Sequence, residues 1–192
     1  LSIRRQRQMC IRDRSAAGCG GKPIDTTWME NPDTTVTEVG TFGMEKLYSA
    51  ALNAEQMTIS SVIHFPIYKF DTLEELTQFK DSLEHPERLS TSLYKYDGIP
   101  SFNEATAKYD ETFFSGNALL LVYVGAHTGT YRFAVDTIPG DGTSLCVQIA
   151  ETTHAELVTC DTSGWFITVA VPDSAAASYT EFDAVLAEGS DC

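Results

Sequence analysis

Five cysteines and four histidines are the side chains with the most reactive chemistry in this chain, and their spacing decides what they can do. His64, His85, His127 and His154 stand far apart, and no His-Glu-x-x-His pair is present to grip zinc. There is no Gly-x-Ser-x-Gly elbow for a nucleophilic serine and no glycine-rich loop to cradle phosphate. A nucleophile needs a base within hydrogen-bond reach, and the sequence marks no such pair. The reading is of a non-enzyme with no catalytic residues, no metal and no cofactor. Asp136, Asp141 and Asp161 lie near turns and could gather calcium, but turn chemistry accounts for them more simply. One histidine has suggestive neighbours. His127, Thr128, Gly129, Thr130 and Tyr131 form a polar loop, and loops carry binding function more often than scaffolds do. This loop is the candidate binding site.

The cysteines read differently from one another. Ala16-Ala17-Gly18-Cys19 sets small residues directly before a thiol, as in a bacterial lipobox whose cysteine takes diacylglycerol. On that reading Cys19 is the lipidated mature N-terminus, and the protein is extracytoplasmic, held to the cell membrane by its lipid anchor alone. Ala16 stands where such boxes usually carry leucine. A signal peptide needs an apolar run of roughly seven to fifteen residues before its cleavage site. Residues 1–14 contain no such run and hold five arginines. Met9-Cys10-Ile11-Arg12-Asp13-Arg14 reads instead as one frame of a translated transposase adapter from a sequencing library, standing where the leader belongs. Cys146 and Cys160 sit symmetrically about a polar turn near Thr152-Thr153-His154. A hairpin there would place them opposite each other as a candidate disulfide, which an oxidising compartment permits. Two separately buried thiols are the alternative. Cys192 carries no assignment.

Charge narrows the partners. The formal net charge is −14. Without residues 1–14, Lys+Arg falls to 8 and Asp+Glu to 26, so the charge becomes about −18. Such a surface repels phosphate backbones, which excludes nucleic acid as a partner. No apolar run reaches membrane-spanning length. The expected partner is a protein or glycan at the cell surface.

The elements that must position the loop are legible in part. Residues 15–35 are rich in Gly, Pro, Asp and Thr and read as lipobox remnant and linker, with Trp28 and Met29 as its docking points. Residues 36–192 read as a single α+β domain, two helices packed on an antiparallel β meander or small sandwich. Residues 57–69 read as a strand that Pro66 confines to an edge or a bulge. Thr72-Leu73-Glu74-Glu75 and Ser101-Phe102-Asn103-Glu104 are capping-box patterns. The first opens a helix with Leu73, Leu76, Phe79 and Leu83 on one face. The second opens a helix with the stripe Phe102, Ala105, Tyr109 and Phe113, stopping at Gly116. Strands follow at 119–124, 131–137, 144–150, 156–160 and 165–171, with Pro139-Gly140-Asp141-Gly142 as a strong turn. If the sheet has one wet face, Trp165 or Phe166 lies on it. Core packing under a helix is the preferred reading for them.

Residues 113–172 resemble the PrcB-type domain of bacterial protease-complex accessory proteins. The run is Leu120-Leu121-Val122-Tyr123-Val124, then Thr128-Gly129-Thr130-Tyr131, then Phe133-Ala134-Val135, continued by Asp141-Gly142 and Leu145-Cys146-Val147. The family turn carries a second glycine where this chain has Thr130. With Pro66-Ile67-Tyr68-Lys69-Phe70, the chain is also similar to lipoproteins of gut-type Gram-positive bacteria. These resemblances imply a lipid-anchored accessory or binding protein and supply no reaction. Thr128-Gly129 is further shared with the inhibitory loop of chagasin-like protease inhibitors, although the preceding Asn-Pro is missing. The expectation is thus a non-enzymatic binding or accessory protein. The alternatives are an extracellular protease inhibitor or regulator, and a carbohydrate-binding module using an exposed aromatic such as Trp165.

Overall fold

The aliphatic run Ala118-Leu119-Leu120-Leu121-Val122-Tyr123-Val124 forms the body of strand β3 (Asn117–Ala126), and all seven residues are buried. A strand buried on both faces needs an apolar layer on each side. The computed structural model describes residues 25–41, 44–48, 50, 62–91, 98–153 and 162–187, and it shows where those layers come from.

β3 runs antiparallel to β6 (Ser163–Pro172) over its whole length, from Asn117 opposite Pro172 to Ala126 opposite Ser163. β1 (Thr34–Glu38) flanks β6, and β2 (Ile67–Phe70) flanks β3, making an antiparallel sheet in the order β1-β6-β3-β2. A second sheet holds β4 (Phe133–Thr137), β5 (Ser144–Glu151) and β7 (Glu181–Leu186) in that order. β5 pairs antiparallel with β4 and parallel with β7. The protein is an α+β sandwich.

Alternate residues of β3 and β6 serve different cores. Leu120, Val122 and Val124, with Trp165, Ile167 and Val169, pack against Leu145, Val147 and Ile149 of the second sheet. Leu119, Leu121, Tyr123 and Phe166 face the helical side, where Phe70, Leu76, Leu89, Phe102 and Tyr109 cover them. The first sheet therefore has no wet face at its centre. Trp165 is 1% exposed and Phe166 0%, so neither lies on a solvent-facing side.

Both capping patterns act, with one difference. In α1 (Leu73–Ser82) the Thr72 hydroxyl accepts from the Glu75 amide, but the Glu75 carboxylate reaches back to the Asp71 amide, one residue early. Ser101 and Glu104 close the full reciprocal box at α2 (Phe102–Thr106). The expected single helix to Gly116 breaks after Thr106. The Asp110 carboxylate accepts from the Phe113 amide and starts α3 (Glu111–Phe114), a short polar side chain competing with the helical ladder. Tyr109, in the connection between α2 and α3, is buried as its stripe predicts, with its hydroxyl 2.9 Å from that of Thr168. A last short helix, α4 (Asp173–Ala176), follows Pro172 at the end of β6.

Residues 63–65 lie along the outer edge of β7. The Phe65 amide donates to the Ala184 carbonyl (2.7 Å), and the Leu186 amide to that of Ile63 (3.0 Å). The Pro66 carbonyl then accepts from Tyr123, and the chain continues as β2 on the edge of the other sheet. Pro66 marks the point where one extended segment changes sheets, consistent with its missing donor. Residues 57–61 lie outside the described residues. Trp28 and Met29, in a 3-10 turn at Thr27–Glu30, pack against the inter-sheet core.

The hairpin proposed for Cys146 and Cys160 is not available to β5. Asp183 of β7 lies opposite Cys146 on one side, and the Cys146 amide donates to Pro139 on the other. Cys146 is a free thiol. Residues 156–160, with Cys160 and its proposed strand, lie outside the described residues, as do Cys10, Cys19, His154, Asp161 and Cys192.

Gly164 is the tightest backbone point of this frame. Its carbonyl accepts from the amides of Val39 and Gly40, and a Cβ there would collide with the Gly40 carbonyl oxygen and the Tyr123 hydroxyl. Gly164→Ala is expected to lower stability by about 2–3 kcal/mol through overpacking. Gly116→Ala, where a Cβ meets nothing within 4 Å, should stay within about 0.5 kcal/mol. Urea unfolding of the two variants checks the contrast.

Candidate functional site

At one end of the sandwich β3 finishes at Ala126, β5 at Glu151 and β7 at Leu186, while β6 begins at Ser163. The 127–132 connection crosses this end from the first sheet to the second. Beneath it opens a cleft of about 230 Å³ whose apolar walls include Ile63, Phe65, Val124, Phe133 and Leu186. Tyr131 also lines it, and His127 and Glu151 supply its ionisable groups. Mouths of this kind, with apolar walls and few polar groups, are the common form of a binding site.

The loop over the cleft is held from below by a chain of hydrogen bonds. The Trp165 indole N–H donates to the Ser163 hydroxyl (3.1 Å), which donates to the Thr128 carbonyl (3.0 Å). The Thr128 hydroxyl accepts from the Thr130 amide (3.3 Å) and lies 2.9 Å from the Thr130 hydroxyl. Arg132 holds the far side. Its guanidinium donates to the carbonyls of Gly129 (2.8 Å) and Tyr131 (3.0 Å) and lies 5.1 Å from the centre of the Trp165 ring. The Arg132 carbonyl in turn accepts from Thr152, beyond the end of β5.

The five residues selected from sequence thus divide. His127 is exposed and Tyr131 half-buried, and both line the cleft. Thr128 is 4% exposed, and with Gly129 and Thr130 it supplies the loop's internal bonding rather than a ligand surface. Sequence reasoning missed Ile63, Phe65, Glu151 and Leu186, because strand pairing across 119 residues or more brings 63–65 to β7. It missed Arg132 despite a usable signal: no Lys or Arg follows Lys108 except this one.

A second grouping combines a thiol, an imidazole and a carboxylate. His64 Nδ1 lies 3.0 Å from Asp183 Oδ1, both solvent-accessible, and Asp183 stands opposite Cys146 in the β5–β7 ladder. Burial pushes the Cys146 thiol above its ordinary range, and the Asp183 charge pushes it further. A nucleophilic cysteine needs the opposite influence. This setting disfavours the Cys146 thiolate. The Asp141 carboxylate accepts from the amides of Ser144 and Thr143, and these bonds hold it below the usual range. That is turn chemistry, as expected for the Pro139-Gly140-Asp141-Gly142 segment. Among the described residues no three His, Cys, Asp or Glu side chains gather as a metal site. No helix among them is long and apolar enough to cross a membrane.

A larger cavity of about 600 Å³ lies on the helical side, between Met44, Leu47, Tyr68, Phe79 and Leu83. None of the residues selected from sequence for binding lines it, and the stretch 51–61 that follows its first wall is outside the described residues.

The chain matches no protein-family model, no curated protein and no solved structure.

Ser163 is the link on which the loop's support turns. Ser163→Ala leaves the Trp165 indole N–H and the Thr128 carbonyl without their shared hydroxyl, and should cost about 1–3 kcal/mol. Hydrogen exchange at the Thr130 amide should quicken in the same variant. An unchanged unfolding midpoint and unchanged exchange would show that the chain does not hold the loop.

Proposed function

We propose that this is a lipid-anchored, extracytoplasmic binding protein with no reaction of its own, and that its ligand is a segment of another cell-surface protein. One observation carries the reading: a loop braced by buried hydrogen bonds forms the rim of an open apolar cleft. Bracing before the ligand arrives removes part of the ordering cost of binding. The cleft in turn offers apolar area for one side chain to bury.

The resemblance of residues 113–172 to a protease-complex accessory domain points the same way, toward a module that meets a protein. So does the inward packing of Trp165, the aromatic that a sugar-binding platform would have presented. The protease-inhibitor reading uses the same loop, since a rigid loop is what an inhibitor inserts into an active-site groove. It differs in demanding that His127 and Thr130 enter the enzyme, rather than that a ligand side chain enter the cleft.

A random peptide display library selected on the full chain tests the function. Enriched peptides are expected, and Tyr131→Ala should weaken them by about tenfold or more, on the order of 1.4 kcal/mol, while the unfolding midpoint is retained. No enrichment, or peptides indifferent to Tyr131→Ala, would sink the cleft as a binding site. The anchor has its own test in the genomic sequence upstream of the Cys19 codon. An apolar leader is expected there in place of residues 1–14, and a leaderless start would overturn the lipidated form.

A further inference from the structure

We infer that residues 27–30 form a releasable clip: Trp28 and Met29 hold the N-terminal segment on the inter-sheet core by packing alone, and the clip opens while the rest of the fold stays closed.

The bonding pattern has a sharp boundary. Every polar contact of residues 25–32 is internal. The Asp25 carboxylate accepts from the Thr27 amide (3.0 Å) and hydroxyl (2.6 Å), and the Met29 amide donates to the Thr26 carbonyl (3.0 Å). Among the described residues no hydrogen bond or ion pair joins this stretch to the remainder of the chain. Asp33, the next residue, is fixed twice. Its carbonyl accepts from the Ala170 amide (3.0 Å), and its carboxylate pairs with Lys108 (2.7 Å). β1 then pairs with β6 from Thr34 onward. What holds the turn is the packing of Trp28 and Met29, each only half-buried.

The Trp28 ring docks at a cost. Its indole Nε1–H is buried, and no described group accepts from it. A donor that leaves water without gaining an acceptor offsets much of the stabilisation that the ring's burial supplies. Trp165 shows the contrast within the same core, since its indole N–H reaches the Ser163 hydroxyl. Segments with few buried contacts and no bonds to their surroundings open locally, below the free energy of global unfolding.

Opening changes the reach of the cleft. This consequence, unlike the clip itself, rests on the lipid-anchored reading above. Eight residues separate Cys19 from Thr27, and fourteen separate it from Asp33. At about 3.5 Å per residue, the span from anchor to fold is at most about 28 Å with the clip closed and about 49 Å with it open. The clip therefore sets how far from the membrane the cleft can meet its partner.

Hydrogen exchange by NMR on the full chain tests the clip, because the two indole N–H groups report on either side of the boundary. That of Trp28 should exchange in native buffer about a hundredfold or more faster than that of Trp165, and its rate should rise little with urea. Placing 3-benzothienylalanine at position 28 keeps the indole shape without its N–H, and should slow exchange of the Met29 amide about threefold or more. Met29→Ala removes apolar packing and should quicken exchange of the Trp28 indole about tenfold. Both variants should keep the urea midpoint of the unmodified chain.

Equal urea dependence at the two indoles would show that the turn leaves only with the whole fold, and would overturn the clip. So would a Met29 amide that exchanges at the unmodified rate or faster beside the isostere, because the N–H would then not be what weakens the docking. A lower midpoint in Met29→Ala without faster exchange at Trp28 would make the turn part of the cooperative core and overturn it too. None of these outcomes bears on the anchor, whose test is the genomic leader.

Discussion

The long antiparallel pairing of β3 with β6 is the constraint from which the rest of this structure follows. Ten residues on each strand face one another, from Asn117–Pro172 to Ala126–Ser163, and nearly all are buried. A pair of strands covered on both faces cannot stand as the floor of a one-layer fold. It demands two roofs of different kinds. The helices with Phe102 and Tyr109 provide one, and the sheet with Leu145, Val147 and Ile149 provides the other. Close approach at the β6 end is then compulsory, which is why Gly164 lies against Gly40 and Tyr123 with no room for a side chain.

The candidate site is a consequence of closing that sandwich. At one edge residues 63–70 leave β7, turn at Pro66 and join β3. At the end where β3 stops, the chain must cross to β4 through residues 127–132. The cleft lies between these two crossings. Its loop is fixed because polar groups that pass over a hydrophobic core must find partners there. Ser163, buried at the start of β6, answers both the Trp165 indole and the Thr128 carbonyl. Arg132 answers two more carbonyls and covers the same ring. Residues that look like a ligand set in sequence are, for the most part, the internal bracing of a rim.

The Cys146 thiol is faced by a carboxylate that discourages ionisation, and His64 gives its Nδ1 to that same carboxylate. The cations Lys69 and Lys108 meet Asp71 and Asp33, Lys80 lies over the Phe102 ring, and Arg132 turns inward over the Trp165 ring.

Local signals alone determined much of this protein. Thr72 and Ser101 announce helix starts because a cap depends on three or four neighbouring residues. Pro66 announces an edge because it lacks a donor, and the aliphatic run at 118–124 announces burial because no polar residue interrupts it. The α+β class follows from those cues. Tertiary structure alone decided the rest. Tyr109 is buried as its stripe predicts, but its hydroxyl meets that of Thr168, 59 residues away, only in the folded chain. Trp165 and Phe166 are both inside because two separate layers meet on β6, and no periodicity within β6 reports that. β7 lies parallel to β5, and residues 63–65 lie on β7, through pairings between distant stretches whose register is chosen by total burial. The cleft exists at that level only, since its walls share no neighbourhood in the chain and are assembled by the sandwich closing around a hydrophobic centre.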